Sequence, residues 1–295
     1  MRARARSFRA RWACRQKNGL DPGRSAVAGP LGLVSLPTFR SIGDTGRVSP
    51  QDFDSLVHHA ASAQRAGWDF SYLHGRTTGG ELPWSFRDLA HPLLDRASRL
   101  LDQDTGGGEA LASIGPLPAY VVATEAWQPN VAVAKHRLEP LGVEVRRQFD
   151  PRIPASDGEF DLVMNRHGQI DPGELARVLD TGGRLLTQQV GAGNDGEFNG
   201  VLGTPIPSDG PTGDRLADSL SRVGFRVTRV ESVAVPATYL DIGAVVFQLL
   251  AVPWQVPGFT VGGFDTELRA LDRQIRTDGG FTVHDHRILV LAVKS

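Results

Sequence analysis

The sequence predicts an α/β fold: a mostly parallel sheet with helices on both faces and an antiparallel C-terminal edge. Three observations lead there. From Leu100 onward, short apolar strands alternate with amphipathic helices, the pattern of successive βαβ units. A glycine pair, Gly182-Gly183, separates a helical run from an apolar strand run, where a helix has to stop. The last third turns to strand-like segments around one apolar helix, which suits antiparallel strands added to a parallel sheet.

Residues 1–48 read as a disordered basic tail and linker. Arg2, Arg4, Arg6, Arg9, Arg11, Arg15, Lys17 and Arg24 face the single acid Asp21, without apolar periodicity. Residues 49–98 read as an N-terminal helical cap. Ser49-Pro50-Gln51-Asp52 has the form of an N-cap followed by proline at the first helical position. Phe53, Leu56, Val57 and Ala60 then recur at helical spacing. A polar loop, Gly75–Gly80, precedes a second helix with Leu89, Leu93, Leu94 and Ala97 on one face.

Residues 99–295 form the main domain. Its predicted strands are Arg99–Asp102, Tyr120–Thr124, Val143–Arg147, Phe160–Asn165 and Gly183–Gln189, with helices Glu109–Ile114, Pro129–Leu138 and Pro172–Leu179 between them. A polar, glycine-rich insertion covers 191–213. Then come a helix Asp214–Val223 closed by Gly224, a strand Phe225–Val235, an apolar helix Ile242–Val252 and a final strand Arg287–Val293. A lid segment is expected around 240–265.

The chain has 295 residues, 40% hydrophobic and 22% charged, the balance of a soluble and, by expectation, cytoplasmic protein. Lys+Arg number 32 and Asp+Glu 33, which gives no support for wholesale binding to nucleic acid or an anionic membrane. The single cysteine, Cys14, excludes an internal disulfide framework, a cysteine-based zinc site and a catalytic thiol in the body of the chain. His284-Asp285-His286 has metal-like residue types but no third ligand in sequence, so no metal is expected.

The chemistry concentrates in Leu100-Leu101-Asp102-Gln103-Asp104-Thr105-Gly106-Gly107-Gly108-Glu109. A strand end, a glycine turn and a helix start follow one another directly. Glycines there permit positive φ and close backbone approach by a ligand, while the helix start offers unpaired N–H groups to an anionic part of it. About 20 residues on, the second strand ends in Glu125, where a carboxylate accepts both hydroxyls of a ribose in nucleotide-binding α/β folds.

Asp102–Gly108, Glu125, Asp150, Asp157-Gly158-Glu159-Phe160-Asp161-Leu162-Val163 and the helix–Gly-Gly–strand unit Leu175–Leu186 stand in one order. In that order the sequence resembles the class I S-adenosylmethionine-dependent methyltransferases, from Leu100 to Gln189 well and in the β-rich tail loosely. The resemblance implies a Rossmann-like class I methyltransferase sheet and S-adenosylmethionine as cofactor. It also implies in-line methyl transfer, in which proximity and alignment supply most of the acceleration. Carried over, Asp102, Asp104, Gly106 and Gly108 belong to the cofactor turn, with Gly106 and Gly108 against the methionine part. Glu125 would bind ribose, and Asp150 would approach the adenine amino group. Trp127 stacks on adenine in one reading and caps the helix Pro129–Leu138 in the other. Asn165, Arg166 and His167 leave the fourth strand where substrate and catalytic groups stand.

His167 is the expected general base if the acceptor must lose a proton; the other reading is a hydrogen-bonded histidine after a strand. Trp68, Tyr72, Arg76 and Trp84, with Trp254 and Phe259, are expected to build an aromatic acceptor pocket or else to be core, and Asp241 to add a polar contact in the lid. The favoured partner is a small-molecule methyl acceptor, with no membrane and no nucleic acid. One departure matters: Asp104 stands where the family has its first glycine, so its carboxylate is expected to clash with the cofactor or repel the cofactor's carboxylate, while attracting its amino or sulfonium charge, and either the loop adjusts or cofactor affinity falls. That keeps open a degenerate, binding or regulatory member of the fold. A nicotinamide-dependent oxidoreductase is the third reading, against which the short glycine spacing counts.

Overall fold

The computed structural model describes residues 52–63, 69–207 and 210–295. The basic tail, Ser49-Pro50 and Trp68 lie outside them. The first described helix, α1 (Phe53–Ser62), is capped by Asp52, whose carboxylate accepts the Ser55 N–H at 2.7 Å. A short strand β1 (Thr77–Gly79) follows, within the stretch expected to be only a loop, and then α2 (Phe86–Leu94), capped by Ser85.

The Rossmann-like part runs β2 (Arg99–Gln103), α3 (Glu109–Ile114), β3 (Tyr120–Glu125), α4 (Gln128–Leu138), β4 (Glu144–Arg147), β5 (Phe160–Arg166), α5 (Pro172–Val178) and β6 (Leu179–Val190). After it come α6 (Gly196–Val201), α7 (Gly213–Ser221), β7 (Phe225–Tyr239), α8 (Ile242–Ala251), α9 (Asp265–Asp278) and β8 (Phe281–Lys294). All eight strands join one sheet in the order β1-β7-β8-β6-β5-β2-β3-β4. The block β6-β5-β2-β3-β4 is parallel; β8 runs antiparallel to both β6 and β7, and β1 antiparallel to β7.

Side-chain alternation explains the layering. Leu100, Val121, Ala123, Leu162, Met164 and Leu186 meet one apolar layer, with Leu94, Leu111 and Leu138 from α2, α3 and α4. Their chain neighbours Leu101, Val122, Val163 and Leu185 meet the opposite layer, with Leu175, Leu216 and Leu220 from α5 and α7. Strands buried on both faces read as continuous apolar runs, which is why they were visible in the sequence. A third core sits over the β7–β8 end, where α8 packs against α1, α6 and α9 through Phe247, Leu56, Phe198 and Leu271.

Two expectations need correction, and one element was not foreseen. Helix α5 ends at Val178, and Leu179 already pairs with Phe160 across a register shift, so Gly182-Gly183 lies inside β6 rather than before it. The late strands are longer than predicted: Phe225–Lys294 to Tyr239–Phe281 pair along one ladder. Residues 265–278, to which the sequence analysis assigns no element, form α9, with Leu268, Leu271 and Ile275 on its buried face and Gly279 as its left-handed stop.

Candidate functional site

The C-terminal ends of β2, β3 and β5 bring the glycine turn, Glu125 and the residues after Asn165 to one edge of the sheet, the edge where open α/β sheets hold ligands. Glu125 is 5% exposed, and both carboxylate oxygens are engaged. Oε2 accepts the Gly106 N–H at 2.8 Å and Oε1 the Trp127 N–H at 2.6 Å. A carboxylate has about four acceptor sites, so Glu125 keeps acceptor capacity beyond these amides. Gly108 caps α3 with φ 81°, and a Cβ there would meet Leu138 at 2.7 Å, so the third glycine lets α3 close on α4. Arg137 of α4 donates to the Gly107 carbonyl and pairs with Glu109, tying the turn down from beneath.

Asp104 keeps the conformation of the glycine it replaces, at φ 56°. Its side chain turns away from the turn's backbone. Oδ2 accepts the Gln169 N–H at 2.7 Å, and a Cβ on Gly168 would lie 2.5 Å from the Asp104 Cβ. The missing glycine of the turn is therefore matched by a glycine across the crevice. Gln103 donates to the Gln169 carbonyl at 3.0 Å, so consecutive residues of the turn grip both ends of one peptide unit. Asp104 and Gln103 thus clamp the loop after β5.

Burial pushes Asp102 up to about 6, with Asp104's charge adding and the Thr105 hydroxyl and Arg166 opposing. Asp104 is likewise pushed up to about 6 by burial, against the Gln169 N–H. Glu125 rises to about 7, chiefly by burial and further by Asp104, against the N–H groups of Trp127 and Gly106.

The acceptor side is built on a relay. Trp84 donates its indole N–H to Gln188 Oε1 at 2.9 Å, which turns the Gln188 amide nitrogen toward His167 Nε2 at 2.8 Å. Indole is a donor only, so the amide donates onward and His167 Nε2 accepts. The imidazole proton then sits on Nδ1. Desolvation of the ring, then Arg287 and Arg166, lowers His167 below the ordinary imidazole value, although the residue's outer surface is exposed. In this arrangement Nδ1 is the protonated nitrogen of a neutral ring.

The other predicted residues separate into those near this edge and those elsewhere. Trp127 stands at the N-cap position of α4 without a side-chain cap bond, half-buried beside Glu125. Asp150 is exposed, and its Oδ1 accepts the Arg152 N–H at 2.8 Å. Asn165 is fully buried and accepts from Gln189 at 2.7 Å, so it braces β5 against β6. Tyr72 stacks on Phe247 at 4.7 Å in the third core, and Arg76 makes a two-pronged ion pair with Asp241, which also caps α8. These three belong to the packing under α8. Phe259 stacks on Phe264, and Trp254 is half-buried beyond α8.

Residues the sequence reading passed over include Gln103, Gly168, Gln188 and Phe149, the last 77% exposed just past β4 with Arg147 over its ring. An open dish at the opposite edge, lined by Arg99, Tyr120, Arg146 and Glu159, has its polar groups already joined to one another. Among the described residues no cluster of three metal-ligating side chains occurs, and no helix is long and apolar enough to cross a membrane.

The strand order, with a parallel block and an antiparallel strand inserted at its end, decides the fold. It is a Rossmann-like sheet, as the sequence resemblance implies. Solved structures agree with this fold. A functionally unknown protein from Deinococcus radiodurans R1 superposes with a TM-score of 0.51 at 17% identity, covering 74% of this chain and 91% of its own. The YcgJ protein of Bacillus subtilis gives 0.51 at 18% identity, covering 71% and 97%. In sequence, the chain is similar to the ubiquinone biosynthesis O-methyltransferase of Cereibacter sphaeroides, 35% identical over 81 residues, and to that of Roseobacter denitrificans, 33% identical over 81 residues. The match covers 27% of this chain and spans about a third of those relatives' length. No family model matches. In fold and motif order the chain resembles the class I S-adenosylmethionine-dependent methyltransferases.

This edge offers one further test of fit for a nucleoside cofactor. The side-chain oxygens of Gln103 and Gln148 and both polar atoms of the Asn130 amide are buried without a partner among the described residues. These residues end β2, follow β4 and open α4, around the glycine turn. Unpaired buried polar atoms are costly, and a polar ligand such as a nucleoside would satisfy them.

Proposed function

We propose that the chain transfers a methyl group from S-adenosylmethionine to the oxygen of a small molecule. The observation that carries this reading is the Gly106–Glu125–Trp127 arrangement, in which backbone amides fix a buried carboxylate at the strand tip with acceptor capacity left for a ribose. When bound, the cofactor supplies an electrophilic methyl on a sulfonium. Gly106 to Gly108 would admit its methionine part. Trp127, Asp150 and Phe149 surround the place for adenine.

On the acceptor side, His167 would donate Nδ1–H to the attacking oxygen. A donor held neutral suits an oxygen that arrives already ionised. The acceptor class is therefore an acidic hydroxyl, a phenol or enol, oriented by His167. The O-methyltransferase relatives support oxygen as the methylated atom. The alternative of a degenerate member rests on Asp104, and the turn of that side chain toward Gln169 weighs against it.

Calorimetric titration of the purified chain with S-adenosylmethionine tests the reading. Binding at micromolar levels is expected, and Glu125→Ala should weaken it by about 1.5–3 kcal/mol, the loss of a charge-assisted contact. An unchanged dissociation constant in that variant would place the adenosyl group elsewhere.

A further inference from the structure

Several acids elsewhere on the described chain meet arginines: Asp161 and Asp180 at Arg99, Glu159 at Arg146, Glu174 at Arg177, Asp241 at Arg76 and Asp272 at Arg276, whereas the buried Asp195 lies beside Asp285 without an ion pair. Asp102, Asp104 and Glu125 have no ion pair among the described residues. They come from the end of β2, the turn after it and the tip of β3, so three carboxylates converge on one crevice. The charge of Asp104 bears on both of the others, and the opposing charge is Arg166 at the tip of β5, whose side chain is exposed. Across the turn, Glu109 is paired with Arg137, and His167 is neutral. The second feature of the place is a set of buried polar atoms without partners among the described residues, the side-chain oxygens of Gln103 (3% exposed) and Gln148 and both polar atoms of the Asn130 amide, which call for a polar occupant.

S-adenosylmethionine carries one net positive charge, from sulfonium and ammonium against one carboxylate. S-adenosylhomocysteine, left after the methyl departs, carries none. We propose that this crevice selects the cationic sulfonium ligand over its neutral thioether product, and that Asp104 sets much of the preference. The inference rests on the cofactor reading above. Opposite charges a few ångströms apart in a poorly solvated site attract strongly enough to favour one ligand by tenfold or more, as an order of magnitude. Burial holds the three carboxyls partly protonated near neutrality. A cation then binds the ionised forms better and drives protons off, so affinity for S-adenosylmethionine rises with pH while that for S-adenosylhomocysteine does not.

The test is calorimetry of the full chain with three ligands: S-adenosylmethionine, S-adenosylhomocysteine and sinefungin, whose amine carries positive charge near the sulfonium position. At about pH 8 the two cationic ligands should bind roughly tenfold tighter than S-adenosylhomocysteine, the gap closing toward about pH 5. In Asp104→Asn, which can still accept from Gln169, the gap at the higher pH should shrink by roughly threefold or more. Asp104→Gly removes clamp and charge together and should shrink it equally. Equal affinities for all three, or a gap that Asp104→Asn leaves intact, would overturn the inference while sparing the cofactor reading. Silence with all three would remove both.

Discussion

Asp104 sits at φ 56°, a left-handed conformation that glycine adopts freely and aspartate tolerates better than most residues. Gly168 opposite has no room for a side chain as long as Asp104 keeps its Cβ. The two positions are therefore energetically coupled. Gly168→Ala should cost about 1–3 kcal/mol in urea unfolding by overpacking. Made in an Asp104→Gly background, the same substitution should cost markedly less, a coupling of about 0.5–3 kcal/mol. Strict additivity of the two changes would mean that the loop after β5 does not rest on Asp104. The sequence exposed the oddity of an aspartate in the turn but not its solution, because the compensating glycine lies 64 positions later and only folding brings it near. His167 shows the same limit: its place after the strand was legible, whereas its proton position depends on Trp84 and Gln188, which no spacing rule links to it.

At the scale of elements, the relay Trp84–Gln188–His167 ties the segment before α2 to the ends of β6 and β5. It predicts that nitrogen chemical shifts of His167 report a neutral ring, protonated on Nδ1, from about pH 8 down to about pH 5, where an ordinary histidine of pKa about 6.5 has become charged. A charged ring at the lower pH would break the relay. The core strands β2, β3 and β5 were readable because they are short and carry apolar runs. Helix α9 was passed over although Leu268, Leu271 and Ile275 recur at helical spacing, because its other face is densely charged and the flanking glycines suggest loop. Its burial makes a test: Leu271→Ala, at 2% exposure, should cost about 2–5 kcal/mol, whereas Leu240→Ala, at 38%, should stay within about 0.5 kcal/mol. β1 and the long β7–β8 ladder were missed in part because polar and apolar residues alternate there on a half-solvated edge, with no apolar block to mark their ends.

Across the whole molecule, the sheet concentrates uncompensated negative charge at the edge where its ligand would enter. A carboxyl whose folded value stands above its unfolded one, about 3.9 for aspartate, binds its proton more tightly in the native state. The stability linked to it is present at low pH and lost as pH rises through the folded value. For Asp104, raised to about 6, the loss is complete above that pH. Asp104→Asn should therefore raise the melting temperature of the ligand-free chain at about pH 8 and leave it nearly unchanged at about pH 4. Such a pattern is what a binding site retains at a cost in stability, and a cationic ligand would restore the balance.

The most direct examination of the central claim is a crystal structure of the chain grown with S-adenosylhomocysteine. The account predicts the ribose hydroxyls within hydrogen-bonding distance of Glu125, the adenine between Trp127 and the Phe149–Asp150 segment, and the homocysteine against Gly106 to Gly108. A nucleoside bound away from Glu125, with that carboxylate engaged by the Gly106 and Trp127 amides alone, would contradict it.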